Sequence, residues 1–297
     1  MARIAAQMKQ PRYTQFILPF LLLLLTACGG FNREIRLSDT VPEIDNTREA
    51  KILTAFFGLD NGLTQRARAL YWNAPGQDGM PIVFSLGVDP ATLDASDFAV
   101  TSQNGTVSEV EAVTLLPAEE EFELRTALLI GEYGNHPDNP PVSVEIVGDL
   151  MSRTGVNFKG QTREVIPLVE GPVLSYAEYF TLGNDYPYVD GGVGGDCPRE
   201  GTTTVVKAVW SGGVRAVNGD ELGDSEKDDF SVTLVKGNDT TVVHPFKLAD
   251  LGDNDNNTDL CIREAGIPIH LRVNANVAID PRDDQNPQTE IEVVSRW

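Results

Sequence analysis

Apolar residues in this chain come in short runs, and Gly, Pro or an Asn-Gly pair cuts each run too soon for a stable helix. Residues 52–57 (Ile-Leu-Thr-Ala-Phe-Phe) end at Asp60-Asn61-Gly62, and residues 80–86 lie between Gly79 and Gly87. Phe98 and Val100 alternate with smaller or polar neighbours up to Gln103-Asn104-Gly105, and Val107, Val110 and Val113 follow. Asn-Gly between alternating segments is the strongest short-range hairpin signal, because both residues tolerate the positive φ of the turn. Residues 124–130 stop at Gly131, Val142, Val144 and Ile146 stop at Gly148, and runs at 165–169 and 173–177 complete the region. With 27 Gly and 18 Pro, no long stretch holds a 3.6-residue period; only residues 63–71 and 117–123 read as short helical turns. Strands at this spacing predict an all-β fold, with an antiparallel β-sandwich domain over residues 51–182.

Residues 80–101 carry a Pro-Ile-Val-Phe strand, then Asp89-Pro90 and Leu93, leading into Phe98-Ala99-Val100. The pattern resembles bacterial Ig-like domains of the surface-layer type. That resemblance implies an Ig-like sandwich acting as a structural, spacer or binding module on a cell envelope, and it brings no catalytic residues with it.

Residues 183–200 are rich in Gly, Asp, Tyr and Pro and read as a linker or a loop pinned by Cys197. Strands resume with Val205, Val206, Ala208, Val209 and Trp210, then Phe230, Val232 and Leu234, a Gly237-Asn238 turn, and runs at 241–246, 267–277 and 290–294. A second β-sandwich domain over residues 183–297 is expected, and no sequence repeat relates it to the first.

At the N-terminus, Arg3, Lys9 and Arg12 precede an apolar stretch at 16–25 that contains no charge. This is the layout of a signal peptide, and the stretch is half of the ~20 residues that would span a bilayer. Leu25-Thr26-Ala27-Cys28-Gly29 resembles the bacterial lipoprotein lipobox. The resemblance implies a signal peptide at 1–27, cleavage after Ala27, acylation of Cys28 with palmitate-class chains, and, with Gly at 29, transfer to the outer membrane. Residues 28–50 then form a flexible tether, and the lipid bilayer is a partner through acylated Cys28. The alternative is an ordinary secretory signal in which Cys28 is incidental.

Cleavage removes three cations and no acid, so 23 Lys+Arg become 20 against 44 Asp+Glu and the net charge moves from −21 to −24. So acidic a body repels anionic membrane surfaces and lacks the basic clusters that neutralise phosphate, which excludes nucleic acid as a partner. The acyl chains must therefore do the holding. Two cysteines remain, Cys197 and Cys261, and in an oxidising envelope they are expected to pair; the alternative is two buried free thiols. Closing that loop stabilises a fold by roughly 4 kcal/mol in the chain-entropy treatment.

Asp253, Asp255, Asn257 and Asp259 place an oxygen donor at every second residue, and Glu264 falls where an EF-hand loop has its last ligand. The run resembles that loop at five places, but Thr258 stands where the sharp turn needs Gly, and Pro and Gly on both sides leave no room for helices. The expectation is a calcium loop between strands, with a solvated acidic turn capped by its own Asx hydrogen bonds as the alternative. Pairing of Cys197 with Cys261 would bring Asp196 beside it, and a second acidic loop holds Asp280, Asp283, Asp284 and Asn286. His136, His244 and His270 are isolated, and neither a Gly-x-Ser-x-Gly elbow nor a phosphate-cradling loop is present. Trp72, Trp210 and Trp297 are candidates for a sugar-stacking platform, although Trp210, inside an apolar strand, reads as core. Together these features point to a lipid-anchored outer-membrane protein serving as a binding, adhesion or structural module. Calcium is its candidate cofactor, and an envelope protein or glycan its partner. The alternative is an envelope hydrolase or carbohydrate-active enzyme using a carboxylate pair in the second domain.

Overall fold

The computed structural model describes residues 48–120, 122–184 and 186–296; the signal peptide, Cys28 and nearly all of the tether lie outside them. Among the described residues, every regular element other than the 3₁₀ turns is a strand, so the all-β expectation holds. No helix among the described residues is long and apolar enough to cross a membrane.

The first eight strands are β1 (Ile52–Phe56), β2 (Asp78–Phe84), β3 (Phe98–Ser102), β4 (Val107–Glu109), β5 (Ala112–Thr114), β6 (Thr126–Gly131), β7 (Pro141–Ile146) and β8 (Thr162–Ile166). They pair in the order β4-β3-β7-β8-β1-β2-β6-β5, antiparallel except for the parallel pair β1–β8. This is the order of an Ig sandwich: first, second, fifth and sixth strands form one layer, and third, fourth, seventh and eighth the other. The two edge strands, β4 and β5, are three residues each. Local chemistry explains β3. Asp89 caps the 3₁₀ turn Pro90–Thr92, and Asp94 and Asp97 form a reciprocal capping box around Ala95–Asp97. The chain then enters β3 with Phe98 and Val100 inward and Ala99 and Thr101 outward. Gly105, at φ +84°, makes the turn that follows. The core gathers Phe57, Met80, Ile82, Phe98, Leu129 and Val144, with the Phe84 and Phe158 rings 4.9 Å apart. Among the described residues of 117–123 there is no helix, and the other expected helical turn is the 3₁₀ segment Gln65–Ala69.

The remaining strands are β9 (Leu174–Phe180), β10 (Thr204–Trp210), β11 (Arg215–Ala216), β12 (Phe230–Lys236), β13 (Asp239–Val243), β14 (Lys247–Ala249), β15 (Asn257–Ile262), β16 (Ile267–Val273), β17 (Ala278–Ile279), β18 (Thr289–Glu292) and β19 (Val294–Ser295). One sheet runs β14-β15-β10-β9-β19 and faces β13-β12-β16-β18, with β11–β17 as a small separate pair. The order is that of the first sandwich, position for position. The last strand is here divided: β18 stays with β16, the chain steps past buried Val293, and β19 crosses to lie parallel to β9. Even the approach to the third strand repeats, since the 3₁₀ turn Lys227–Asp229 delivers Phe230 and Val232 inward as Ala95–Asp97 delivers Phe98 and Val100. Trp210 packs edge-on against Phe230, with ring centroids 6.4 Å apart, at the centre of this core.

The run at 173–177, grouped by sequence with the first region, belongs to β9 and pairs with β10. Cys197 and Cys261 form a disulfide, with Cα atoms 5.5 Å apart, that fastens the Gly-rich 183–200 segment to β15. All described residues belong to one compact unit. Between the sandwiches, Val83 packs with Tyr176 and Val209, and the Thr54 and Ser175 hydroxyls meet at 2.7 Å.

Candidate functional site

Strand β10 reads Thr-Val-Val-Lys-Ala-Val-Trp and is buried along its whole length. Val206, Ala208 and Trp210 face their own core, while Val205, Lys207 and Val209 face the opposite side, where the first sandwich and the 183–200 segment cover the sheet. A sheet buried on both faces favours unbroken apolar strands, so Lys207 is the exception that needs a partner. It has three. Its ammonium, in a residue only 3% exposed, donates to Glu123 Oε1 and Asp250 Oδ2, each at 2.7 Å, and stands 3.1 Å from Asp259 Oδ1. Burial alone would push its pKa down; Asp250, Asp259 and Glu123 instead hold it well above the usual lysine value. Asp259 is its cross-strand neighbour, whereas Glu123 arrives from the first sandwich.

The loops that supply these acids correspond to one another. Residues 115–125 join β5 to β6 in the first sandwich, and residues 250–256 join β14 to β15 in the second. They meet at the seam. Asn256 donates to Thr126 Oγ1 at 3.0 Å and to the Trp210 carbonyl at 2.7 Å, tying both sandwiches to one side chain. Phe122 sits at φ +74°, a strained conformation for a bulky residue. It stacks on Tyr186, and the Arg296 guanidinium lies over both the Phe122 and Phe180 rings. Arg296 also holds Glu178 through Nε at 2.9 Å and Nη2 at 2.8 Å, while Arg125 approaches the other Glu178 oxygen at 3.5 Å. Burial opposes ionisation of Glu178, but Arg296 and then Arg125 overcome it and keep the carboxyl below its ordinary pKa.

The acids on the Lys207 side are less well matched. Burial, then Asp250 and Asp253, raise Asp255 to about 8, although Asn257 donates to both of its oxygens. Burial and the neighbours Asp250 and Glu120 raise Asp253 to about 6. Burial raises Asp259 to about 6 against the pull of Lys207. Burial, with Asp250, lifts Glu123 well above the carboxylate range.

Of the residues singled out from sequence, Asp253 and Asp255 lie in the loop before β15, and Asn257 and Asp259 lie in β15 itself. Alternation along β15 puts Asn257 and Asp259 on the seam-facing side, opposite Val209 and Lys207. Glu264 lies beyond the far end of β15, exposed, where the six-residue strand separates it from the others. The disulfide draws Asp196 toward the cluster, where burial raises its pKa and Lys207 opposes the rise. Asp280 accepts from the backbone N–H of Arg282 and Asp284 and so caps its own turn. His244 bonds the Phe230 carbonyl at 2.6 Å and His270 lies 3.3 Å from Glu290. Trp210 is core, Trp72 is exposed beneath Arg68, and Trp297 lies outside the described residues. Sequence reasoning passed over Lys207, Glu123, Glu178 and Arg296. The one available signal was a charged residue inside the Val-Val-Lys-Ala-Val run.

Beside the cluster lies a cavity of about 170 Å³ with mostly apolar walls, including Phe56, Leu59 and Pro81, and Asp255 and Asn256 at its polar end. Pro281 of the second acidic loop lines it too, so both acidic loops share one end of the second sandwich. Among the described residues, no three His, Cys, Asp or Glu side chains are gathered at metal-holding geometry.

No family model matches the chain, and no curated protein matches it either. Among solved structures, the N-terminal part of the bacterial S-layer protein SbsC is similar at 12% identity with a TM-score of 0.28, covering 73% of this chain. The chain spans 45% of that structure's length. Overlap this low carries no argument about function.

Proposed function

We propose that this chain is a lipid-anchored bacterial envelope protein whose two Ig-like sandwiches form a rigid structural or adhesive module on the outer membrane. The observation that supports this reading is the seam, where Lys207 and its three carboxylates, the Arg296–Glu178 pair and the Phe122–Tyr186 stack join two sandwiches of one strand order into a stiff body. A stiff, acidic body held by acyl chains at Cys28 presents its loops to an envelope protein or glycan and stays off the anionic membrane surface.

The test is metabolic labelling with a palmitate analogue, in wild type and in Cys28→Ser, followed by membrane fractionation and pull-down from envelope extract. Label and outer-membrane recovery in wild type, both lost in Cys28→Ser, with an envelope component retained on the body, are the expected results. An unlabelled wild-type protein overturns the anchor. Turnover of a glycan or peptide by the purified body overturns the module in favour of a hydrolase.

A further inference from the structure

Residues 57–77 join β1 to β2, an antiparallel pair that a hairpin loop of about 2–5 residues could close. A connection so much longer than its geometry needs is usually a functional one. Its counterpart in the second sandwich, residues 181–203 between β9 and β10, is given over to the seam: the disulfide fastens it, and its Tyr186 stacks on Phe122. The β1–β2 connection has a different place. Its Ala67 and Ala74 are buried against Ile130 of β6, with Leu63, Leu70 and Tyr71 packed around them. The Gly76 N–H donates to the Leu63 carbonyl at 2.8 Å and closes the base, and the Ala74 N–H donates to the Tyr71 carbonyl at 3.0 Å and holds the turn above. One side of the connection is thus fixed on the sheet, and the other faces solvent.

The outer side differs in chemistry from the rest of the molecule. The chain has 44 Asp+Glu against 23 Lys+Arg, yet residues 61–77 carry Arg66 and Arg68 and no acid. Both arginines are exposed, and among the described residues neither has a carboxylate within ion-pair distance. Acids meet the connection at its two roots instead: Asp78 accepts from the Asn61 N–H at 2.7 Å, and Glu111 accepts from the Gln77 amide at 3.2 Å. Trp72 is 72% exposed, the most exposed large apolar side chain among the described residues, although Trp is ordinarily a well-buried residue. The Arg68 guanidinium lies over its ring, 5.0 Å from the centroid, which steadies the indole from one face and leaves the other to solvent. Thr64, Gln65 and Asn73, exposed and neutral, lie on the same connection.

We propose that this patch binds an anionic saccharide, with a pyranose ring resting on the open face of Trp72 and its carboxylate or phosphate held by Arg66 and Arg68. The apolar C–H face of a pyranose matches a flat indole, and its hydroxyls match the hydroxyl of Thr64 and the amides of Gln65 and Asn73. A planar guanidinium takes a carboxylate or a phosphate bidentately. An acidic peptide would engage the arginines without needing a flat apolar face beside them. The site deepens the reading of the body as an adhesive module, naming the kind of glycan and where it sits; it rests on that reading but not on the lipid anchor.

Full-length protein, wild type and Cys28→Ser in parallel, is titrated by calorimetry in a detergent that has no sugar headgroup. The probes are an oligogalacturonate, a phosphorylated mannan oligosaccharide, a neutral maltooligosaccharide and a poly-glutamate peptide. At least one acidic saccharide is expected to bind both proteins alike, more weakly as salt rises, and the one that binds tells carboxylate from phosphate. The neutral sugar and the peptide are expected to give no heat. Trp72→Ala and Arg68→Gln should each weaken binding about tenfold or more. Circular dichroism and Tm should stay unchanged in both variants, because the two side chains are exposed; Trp72→Phe, which keeps an aromatic face, should recover part of the affinity. Silence of both acidic saccharides at millimolar concentration overturns the site, as does unchanged binding in Trp72→Ala. Equal binding of poly-glutamate would make the patch a peptide dock, and equal binding of the neutral sugar would remove the arginines from it; either result overturns the proposal. Failure of the module reading shows as turnover of the saccharide and failure of the site as silence, so the two are told apart.

Discussion

Lys207 remains charged in a dry interior because three carboxylates reach its one nitrogen, two of them at 2.7 Å. Removing a single partner of a buried ion cluster leaves the rest uncompensated, which costs about 3–5 kcal/mol. Lys207→Met is therefore expected to lose stability of that order in urea unfolding; a loss under about 1 kcal/mol would show that the acids hold protons and do not need the ammonium. A second buried acid lies within the first sandwich. Asp78 in β2 accepts from the backbone N–H of Asn61 and Tyr133, each at 2.7 Å, but burial outweighs both bonds and raises its pKa to about 6. Its folded pKa lies above its unfolded value, so the folded state binds the proton more tightly. That contribution is complete below pH 4 and is lost as pH rises through about 6. Denaturation midpoints for Asp78→Asn should therefore show a flatter profile than wild type between pH 4 and 7.

At the scale of elements, turn chemistry was the legible part. Gln103-Asn104-Gly105 marks the β3–β4 turn, and Phe98 and Val100 name the inward face, because both signals are local and carry their own steric reason. The disulfide was legible for a different reason, compartment and count. Removing it with Cys197→Ser and Cys261→Ser together is expected to destabilise the fold by roughly 4 kcal/mol in urea unfolding. The charge cluster was not legible. Lys207 sits in a run that reads as an apolar strand, and Glu123 lies in a stretch that reads as a helical turn; their meeting depends on two loops far apart in sequence. The repeated strand order was hidden too, since topology conserves which positions face inward and not which residues occupy them. The connection between sandwiches is equally non-local. Gly171 lies so close to residue 285 that a Cβ there would stand 2.0 Å from the Gln285 carbonyl oxygen. Gly171→Ala must displace that backbone, and a drop of about 1–3 kcal/mol is expected from the same measurement.

The whole molecule joins two sandwiches through a seam that buries charge and aromatic rings, and few such groups could be exposed without cost. Calorimetry should accordingly record one cooperative unfolding transition for wild type, because neither half keeps its side of the seam satisfied alone. Two resolved transitions in wild type would show the halves to be energetically independent. The blunt rims of the first sandwich bear on a different scale. Its outermost strands, β4 and β5, offer only three residues each, and Glu109 and Glu111 flank the bend between them. A neighbouring copy finds no length of open ladder to extend, and meets like charge where it tries. Packed at high density on a surface, such bodies would not zip together through the rims of the first sandwich.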